Sequence, residues 1–461
     1  MSIAAIVLAA GKGTRMKSAI PKVLHQICGL SMVGHVVRNL EEAGIQRIIV
    51  VVGPDGLEAE LGPSVEYVVQ MEQLGTGHAV MQAEEALKGH SGPVLVITGD
   101  SPLYRGETLL GLISYHLDGG AVGTVLTVDV ADPAGYGRII RDADGNLEKI
   151  VEQRDTTPSQ ALVKEINSGT FVFASVPLFS ALRRIRPQNA QNEYYLPDVL
   201  TILREAYGKV QIFKHHDPEE ALGINDRVQL AAAEQILRNR VREAWMRAGV
   251  TMIDPATVYI DAEAELAPDV VLLPFTFIEG HTTIAGGSVI GPFTRLQDAK
   301  VAENVTVSQA TVIASSLGSR CVVGPYSHIR HGCDIATGAK VGGFCEIKNT
   351  TIGSGSKVPH LSYLGDTDVG SDVNIGAGTI TCNYDGVLKH RTIIQDQAFV
   401  GSNCNLVAPI EVGASAYVAA GSTITGNIPP GALGVARSRQ KNIADWATKW
   451  SKKHSAEEES R

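Results

Sequence analysis

Aliphatic residues recur every sixth position through long stretches between Ile260 and Ile424. Ile260, Leu266, Leu272, Ile278, Ile284, Ile290 and Leu296 hold one unbroken phase. Leu317, Val323, Ile329, Ile335, Val341 and Ile347 hold a second, and Ile394, Val400, Leu406, Val412, Val418 and Ile424 a third. An α-helix has no six-residue repeat. One short strand and a tight turn make a unit of that length, and it is too short for a crossover helix between parallel strands. The economical solution is a parallel β-helix with three strands to each coil and the aliphatic side chains stacked inward. Glycine after the aliphatic residue, as in Val341-Gly342 and Val400-Gly401, permits backbone angles that other residues resist.

A chain of 461 residues has room for two or more domains. A content of 44% hydrophobic and 19% charged residues reads as soluble and globular. The net charge of -9 argues against general nucleic-acid binding but leaves room for a local basic phosphate pocket. No run approaches the ~18 apolar residues that cross a membrane. The apolar run Ile3 to Ala10 has no preceding positive charge and reads as a first strand, not a signal peptide. None of the six cysteines sits in a CxxC pair, so zinc is not indicated. Cys321, Cys333 and Cys345 are spaced by twelve, two hexads each, which marks a repeat position. A reduced, cytoplasmic protein is the expectation.

Residues 1–226 alternate strand and helix patterns: strands at Ile3–Ala9, Arg47–Gly53 and Val94–Thr98, helices at Ser31–Ala43 and Gly77–Leu87. That order predicts an α/β domain with a mainly parallel sheet. Ligands of such sheets sit beyond the carboxyl ends of strands, where Gly11–Arg15 and Gly99-Asp100 fall. In the loop Leu8 to Met16, small residues and glycines let backbone N–H groups approach phosphate oxygens. Arg15 and Lys22 can offset triphosphate charge. The loop is neither a Walker A motif nor a dinucleotide fingerprint. Taken alone, Gln70–Gly77 is a polar loop entering a helix, and Asp100 is a turn residue or a metal ligand. Asn225 is a ligand or a helix N-cap.

Leu230, Leu237, Val241 and Trp245 share one stripe, so residues 227–248 read as a linker helix. Coils follow over 249–434. The tail, 435–461, carries Trp446 and Trp450 in a short helix, with Ser455 to Arg461 expected to be disordered. The repeat slips in places. Ile347 to Ile352 is five residues, as is Leu364 to Val369, and Ile375 to Ile394 is nineteen, one more than three hexads. The segments involved hold His360–Asp366 and Cys382–Gly386. Loops that break a repeat carry function or are harmless insertions.

The hexads resemble the hexapeptide-repeat transferases, whose coils wind left-handed and whose active sites lie between subunits of a trimer. The motif Leu8-Ala9-Ala10-Gly11-Lys12-Gly13-Thr14-Arg15-Met16 with Pro21-Lys22 resembles the sugar-nucleotide pyrophosphorylases. Over residues 1 to about 440 the chain resembles the bacterial bifunctional N-acetylglucosamine-1-phosphate uridylyltransferase/glucosamine-1-phosphate N-acetyltransferase family. The resemblance implies a Rossmann-like nucleotidyltransferase domain followed by a left-handed β-helix acetyltransferase domain.

It further implies a UTP and UDP-sugar site built from Leu8, Ala9, Ala10, Gly11, Arg15, Lys22, Gln70, Gly75, Thr76, Gly99, Asp100, Gly137, Glu152, Asn167 and Asn225. Gln70 and Gly75-Thr76 would hold the uracil, and Gly137, Glu152 and Asn167 the sugar. Asp100 and Asn225 would bind Mg²⁺. In the coils, Arg330 and Lys348 would pair with a sugar phosphate, and Tyr363 and Asn374 would complete the sugar site. His360 would be the general base. Asn383, Tyr384, Ser402, Ala420 and Arg437 would contact acetyl-CoA, with Ala377 nearby. Two positions depart from the family: Thr98 stands where Tyr is frequent, and His331 where Pro is usual.

The implied function is N-acetylation of glucosamine-1-phosphate, then uridylyl transfer from UTP with release of pyrophosphate. The product, UDP-N-acetylglucosamine, would serve cell-wall synthesis. The expected partners are small-molecule substrates and two further copies of the chain, with neither nucleic acid nor membrane. Two other readings stand beside it. One is a pyrophosphorylase for another sugar nucleotide whose β-helix only oligomerises or regulates. The other is a scaffold with a degenerate nucleotide site. His360-Leu361-Ser362-Tyr363 with Asn383-Tyr384 weighs against the first, and intact Arg15, Lys22 and Asp100 weigh against the second.

Overall fold

The computed structural model describes residues 2–54 and 61–458. The chain divides into two compact units, Met1–Ala244 with Ile260–Glu263, and Trp245–Tyr259 with Ala264–Arg461.

The first unit is built on a nine-stranded sheet. Its main path runs Val210–Lys214, Gly123–Asp129, Glu165–Ala174, Pro93–Thr98, Ala4–Leu8, Arg47–Val52, Glu66–Val69. Ala4–Leu8 pairs in parallel with Arg47–Val52 and with Pro93–Thr98, while Glu165–Ala174 runs antiparallel to its neighbours. The central strands are apolar throughout because both faces are covered. Val36 and Leu40 of helix Met32–Glu42 and Leu109 and Leu112 of helix Gly106–Asp118 lie in one core. Val80, Leu178, Leu182, Leu200 and Leu203, from the three helices Thr76–Gln82, Ser175–Leu182 and Asp198–Tyr207, lie in the other. Ser31 caps the first of these helices, its hydroxyl accepting from Gly34 N at 3.1 Å.

Helix Arg227–Arg247 follows. Ala233 and Arg242 are its buried residues, and Leu230, Ile236 and Leu237 pack beside Ala233 against Ile27, Met32 and Leu103. The stripe therefore runs through Ala233 and Ile236 as well as the expected leucines. Asp226, not Asn225, caps this helix: its carboxylate accepts from Val228 N and Gln229 N at 2.9 Å each.

The second unit stacks three parallel sheets of eleven, ten and nine short strands, the walls of a β-helix of the left-handed class expected. Along one wall the register pairs Leu266, Ile284, Val301, Leu317, Ile335, Ile352, Val369, Ile394 and Val412 in one column. All nine are buried, and each buried aliphatic side chain is worth roughly 1.5–3 kcal/mol. Two positions before most of the inward aliphatics stands a small residue. Thr282 is one such residue; it is buried, and its hydroxyl donates to Glu279 O at 2.7 Å. Cys321, Cys333 and Cys345 occupy that position and are buried free thiols, so their spacing belongs to the fold. In the tail, helix Trp446–Glu458 runs past Ser455, where disorder was expected. Trp450 stacks on His454 at 4.2 Å, and Ser455 Oγ donates to Ser451 O, which carries the helix onward. Residues 459–461 lie outside the described residues.

Candidate active sites

Leu8 and Thr98 end neighbouring parallel strands and pair with each other. Beyond them open two adjoining clefts, of about 330 and 210 Å³, that share Leu8, Thr76, Thr98 and Asp100. This is the crevice at the carboxyl ends of the strands. The larger cleft adds Ala10, Gly11, Lys22, Gln70 and Gly75. The smaller adds Arg15, Gly137, Glu152, Asn167 and Asn225. Ala9 faces a side hollow with Ala10 and Gly11. Gly99 supports the floor, its N–H donating to Leu8 O at 2.9 Å. The structure thus gathers every expected nucleotide-site residue at one end of one sheet.

Local geometry explains several of these residue types. Gln70 is buried and donates to Gly75 O at 3.3 Å, which leaves its amide oxygen for a ligand. Gly75 has φ +108, and a Cβ there would lie 2.7 Å from Tyr194 O, so no other residue fits. Lys22 Nζ pairs with the Asp100 carboxylate and lies 3.1 Å from Asn225 Oδ1, which also accepts from Arg15 at 2.8 Å. Burial raises the Glu152 carboxyl above its ordinary value, with Asp155 and Asp198 adding to the rise and the Arg138 charge and a hydrogen bond with Asn167 opposing it. A Cβ on Gly137 would meet Glu152 Oε1 at 3.0 Å, which keeps that carboxyl open to the cleft.

The cleft also holds residues that sequence reasoning did not select. Tyr136 and Ser101 line the smaller cleft, and burial pushes the Tyr136 phenol up. Thr98 Oγ1 lies 2.8 Å from Ser101 Oγ, so the departure from Tyr gives a hydroxyl pair spanning the turn that carries Asp100. Gln73 donates to Ala10 O and lines the larger cleft. Gln73 sits inside the stretch Gln70–Gly77 and Tyr136 directly precedes the expected Gly137; that adjacency was the available signal.

In the β-helix, the expected residues fall into two groups. Lys357, Asn374, Phe399 and Tyr417 pair in one column of one wall. Three residues beyond each of them stand His360, Ala377, Ser402 and Ala420. Four expected residues thus form one ladder at one corner of successive coils. His360 is exposed, its backbone held by Ser362 Oγ donating to His360 O at 2.8 Å. The second group lies on the next wall. Lys348 pairs with Gly365, and Glu346 with Tyr363. Arg330 NH1 donates to Glu346 at 2.9 Å. Tyr363 and Asn383 both crowd Gly365: a Cβ there would land on the Tyr363 hydroxyl and lie 2.8 Å from Asn383 Nδ2.

Asp366, the corner after Gly365, anchors this group. Its φ is +50 and it is buried. Its carboxylate accepts from Asn349 Nδ2 at 2.6 Å and from Asn383 Nδ2. Burial raises its pKa, but the two amides with Lys348 and Lys389 outweigh that and hold it below the usual carboxylate range. Lys389 was not foreseen. It lies in the corner segment 383–391, which replaces the single corner residue Asp366 of the coil before. The Lys389 ammonium beside Lys348 pushes the Lys348 pKa down. Tyr384 is exposed, and Arg437 lies on exposed chain beyond strand Leu433–Gly434. His331 is exposed next to Arg330, and its carbonyl accepts from Asn349 N at 3.2 Å.

His360 and Lys348 stand at opposite ends of the wall strand Tyr363–Gly365, at corners marked by the positive φ of Leu361 and Asp366. Three strand residues span roughly 10 Å. Within one chain, therefore, the ladder and the lysine group are two clusters.

Comparison with known proteins places a MobA-like NTP transferase domain over residues 5–196. The bifunctional protein GlmU of Heliobacterium modesticaldum is 52% identical over 439 residues, 95% of this chain and 96% of that protein. GlmU of Halalkalibacterium halodurans is 48% identical over 96% of this chain and 98% of its own length. GlmU of Brevibacillus brevis is 47% identical over 98% of each. With such identity running through both the α/β unit and the coils, the chain belongs to the bifunctional GlmU family.

Proposed function

We propose that this chain makes UDP-N-acetylglucosamine in two steps, acetylating glucosamine-1-phosphate in its β-helix and joining the product to uridylate in its α/β unit. The observation that carries the reading is that each unit holds its own polar site on its own framework, one at the strand ends of the sheet and one at the corners of the coils. Residues 1–226 and 249–434 are then separate catalytic domains.

In the α/β unit, Gln70 and Thr76 take the uracil, the Leu8–Gly11 backbone and Arg15 the phosphates, and Glu152 and Asn167 the sugar. The phosphate oxygen of N-acetylglucosamine-1-phosphate attacks the α-phosphorus of UTP and pyrophosphate leaves. Such a step needs positioning and charge neutralisation more than an acid or base. The donor set fits Mg²⁺: Asp100 and Asn225 turn one oxygen each toward a single cationic group, and Mg²⁺ takes oxygen ligands while leaving positions for water and phosphate. When bound, the ion neutralises phosphate charge. Lys22 already meets both oxygens and Arg15 the Asn225 one, and both can turn to the phosphates.

In the β-helix, His360 takes the proton from the attacking amine. Lys348, Lys389 and Arg330 hold the sugar phosphate, and the ladder Ala377–Ser402–Ala420 with Asn383, Tyr384 and Arg437 guides acetyl-CoA. The separation of His360 from the lysines supports a site completed by a neighbouring copy, and hence a homotrimer. An exposed ridge of Phe275, Phe293, Tyr326, Phe344 and Leu361 leads along the His360 corner and offers the apolar face that such contact needs. No helix among the described residues is long and apolar enough to cross a membrane; a cytoplasmic enzyme drawing on UTP and acetyl-CoA is part of this reading. The test supplies glucosamine-1-phosphate, acetyl-CoA, UTP and Mg²⁺, and measures free thiol and pyrophosphate separately. Pyrophosphate from supplied N-acetylglucosamine-1-phosphate without thiol release from glucosamine-1-phosphate would overturn the acetyltransferase half. Neither product would overturn both.

A further inference from the structure

The corner segment 383–391 has no apolar anchor. Val387 is 83% and Leu388 61% exposed, so the tip adds nothing to the core. Polar contacts hold its shape instead. Tyr384 and Lys389 form an antiparallel bridge. Asp385 Oδ1 accepts from Val387 N at 2.8 Å and Leu388 N at 2.7 Å, and Asp385 Oδ2 lies 2.7 Å from His390 Nε2. His390 N donates to Asn383 O at 2.8 Å. Arg391 then forks onto Asp368, which also accepts from Thr351 Oγ1. Lys389 is thus carried between Tyr384 and His390, with its ammonium beside that of Lys348.

Two ammonium groups side by side repel, and the segment must hold Lys389 in place against that repulsion. The Tyr384–Lys389 bridge and the nearby Asp366 carboxylate share that work. The Asp385–His390 contact spans the turn directly beneath Lys389, and Asp385 is already drawn to about 2 by its backbone N–H partners and by His390. A phosphate dianion placed between the two ammonium groups would reverse the repulsion.

We propose that His390, by its hydrogen bond to Asp385, is a positioning residue that holds Lys389 beside Lys348 to receive the phosphate of the acetyl acceptor. The inference rests on the reading that this end of the β-helix binds a sugar phosphate. It predicts a defect mainly in that substrate: Ser402, Ala420 and Arg437 lie outside the segment, and the side chains of Asn383 and Tyr384 keep contacts that do not involve His390, to Asp366 and to Gly386 O.

The experiment measures steady-state acetyl transfer by the full chain with glucosamine-1-phosphate and acetyl-CoA varied separately. His390→Ala removes the contact, and His390→Gln keeps a donor for Asp385. His390→Ala should raise KM for glucosamine-1-phosphate by about tenfold, a typical loss for one charge-assisted contact. KM for acetyl-CoA and kcat should stay within about twofold. His390→Gln should restore most of the lost affinity. Lys389→Ala should give a similar KM rise, and the double variant His390→Ala/Lys389→Ala no further rise, because both act through one ammonium. An unchanged KM in His390→Ala, a defect that His390→Gln does not rescue, or fully additive losses would each overturn the proposal. A wild-type chain that does not acetylate glucosamine-1-phosphate would overturn the underlying reading with it; wild-type turnover with any of the other outcomes overturns only the role of His390.

Discussion

Lys22 and Asp100 form an ion pair in the α/β cleft, and the same ammonium lies 3.1 Å from the Asn225 amide oxygen. One carboxylate and one amide thus already share a cation, which is the arrangement a divalent ion between protein and phosphates needs. Asp100→Ala removes the charged donor, so uridylyl transfer should fall by ~10²–10³-fold, the usual loss for one group stabilising transition-state charge. Asn225→Ala should do the same less severely, since a neutral donor is lost. Acetyl transfer should continue in both. The check is pyrophosphate release titrated with Mg²⁺, beside thiol release. Near-normal pyrophosphate release by a folded Asp100→Ala chain would remove Asp100 from the mechanism.

Gly365 tests the second site by shape. A Cβ at this position would land on the Tyr363 hydroxyl and crowd the Asn383 amide. Gly365→Ala should therefore displace two expected site residues while leaving the buried column Ile347–Leu364 intact. Overpacking of this kind costs about 1–3 kcal/mol. Acetyl transfer should drop by at least about tenfold, with melting temperature lowered by only a few degrees. A variant with normal acetyl transfer would show that Tyr363 and Asn383 tolerate displacement.

How far the sequence carried this picture depended on the range of the forces involved. Each β-helix coil is made by local turns, so Ile260 to Leu296 reveal the fold by spacing alone. The nucleotide loop was legible because Leu8–Arg15 and Gly99-Asp100 end strands that the apolar runs mark. Asn225 was ambiguous in sequence; the structure gives capping to Asp226, which frees the Asn225 amide for the cleft. Asp366 and Lys389 were not legible. Their roles come from a left-handed corner and from a segment folded back beside an earlier coil, and no periodicity encodes that juxtaposition. The full length of the tail helix was not legible because its contacts are stacking rings four residues apart, with little apolar periodicity.

The Lys348 environment gives a pH signature. Lys389 beside it lowers the pKa of Lys348, so Lys348 loses its charge at a lower pH than an ordinary lysine. A charged lysine attracts phosphate and a neutral one does not. kcat/KM for glucosamine-1-phosphate, which reports the free enzyme, should therefore fall on the alkaline side below the usual lysine range. Lys389→Ala removes the leading cause of the shift, so that alkaline limb should move to higher pH. The profile of kcat/KM for acetyl-CoA should not move. Identical alkaline limbs in wild type and Lys389→Ala would show that the two ammonium groups do not share a phosphate.

His360 carries the chemistry of acetyl transfer in this reading. The amine of glucosamine-1-phosphate is mainly protonated near neutral pH, and only its free lone pair attacks a thioester. An imidazole is the side chain suited to accept that proton near neutrality. The structure adds two reasons to place the base at His360. Its imidazole makes no hydrogen bond to any described residue, while its backbone is fixed by Ser362 and by Leu361 N donating to Gly343 O at 2.9 Å. It also begins the ladder that continues through Ala377, Ser402 and Ala420, where the thioester would run. The competing role is to shape the corner, with water taking the proton. General-base assistance is typically worth ~10²–10⁴-fold, so His360→Ala should cut acetyl transfer within that range. KM for acetyl-CoA should change little, and uridylyl transfer from supplied N-acetylglucosamine-1-phosphate should be normal. A shaping role would instead raise KM values with kcat largely kept, and would be rescued by His360→Asn. The measurement is thiol release across pH, with assembly followed by sedimentation. Wild-type turnover at neutral pH in a correctly assembled His360→Ala chain would remove His360 as the base.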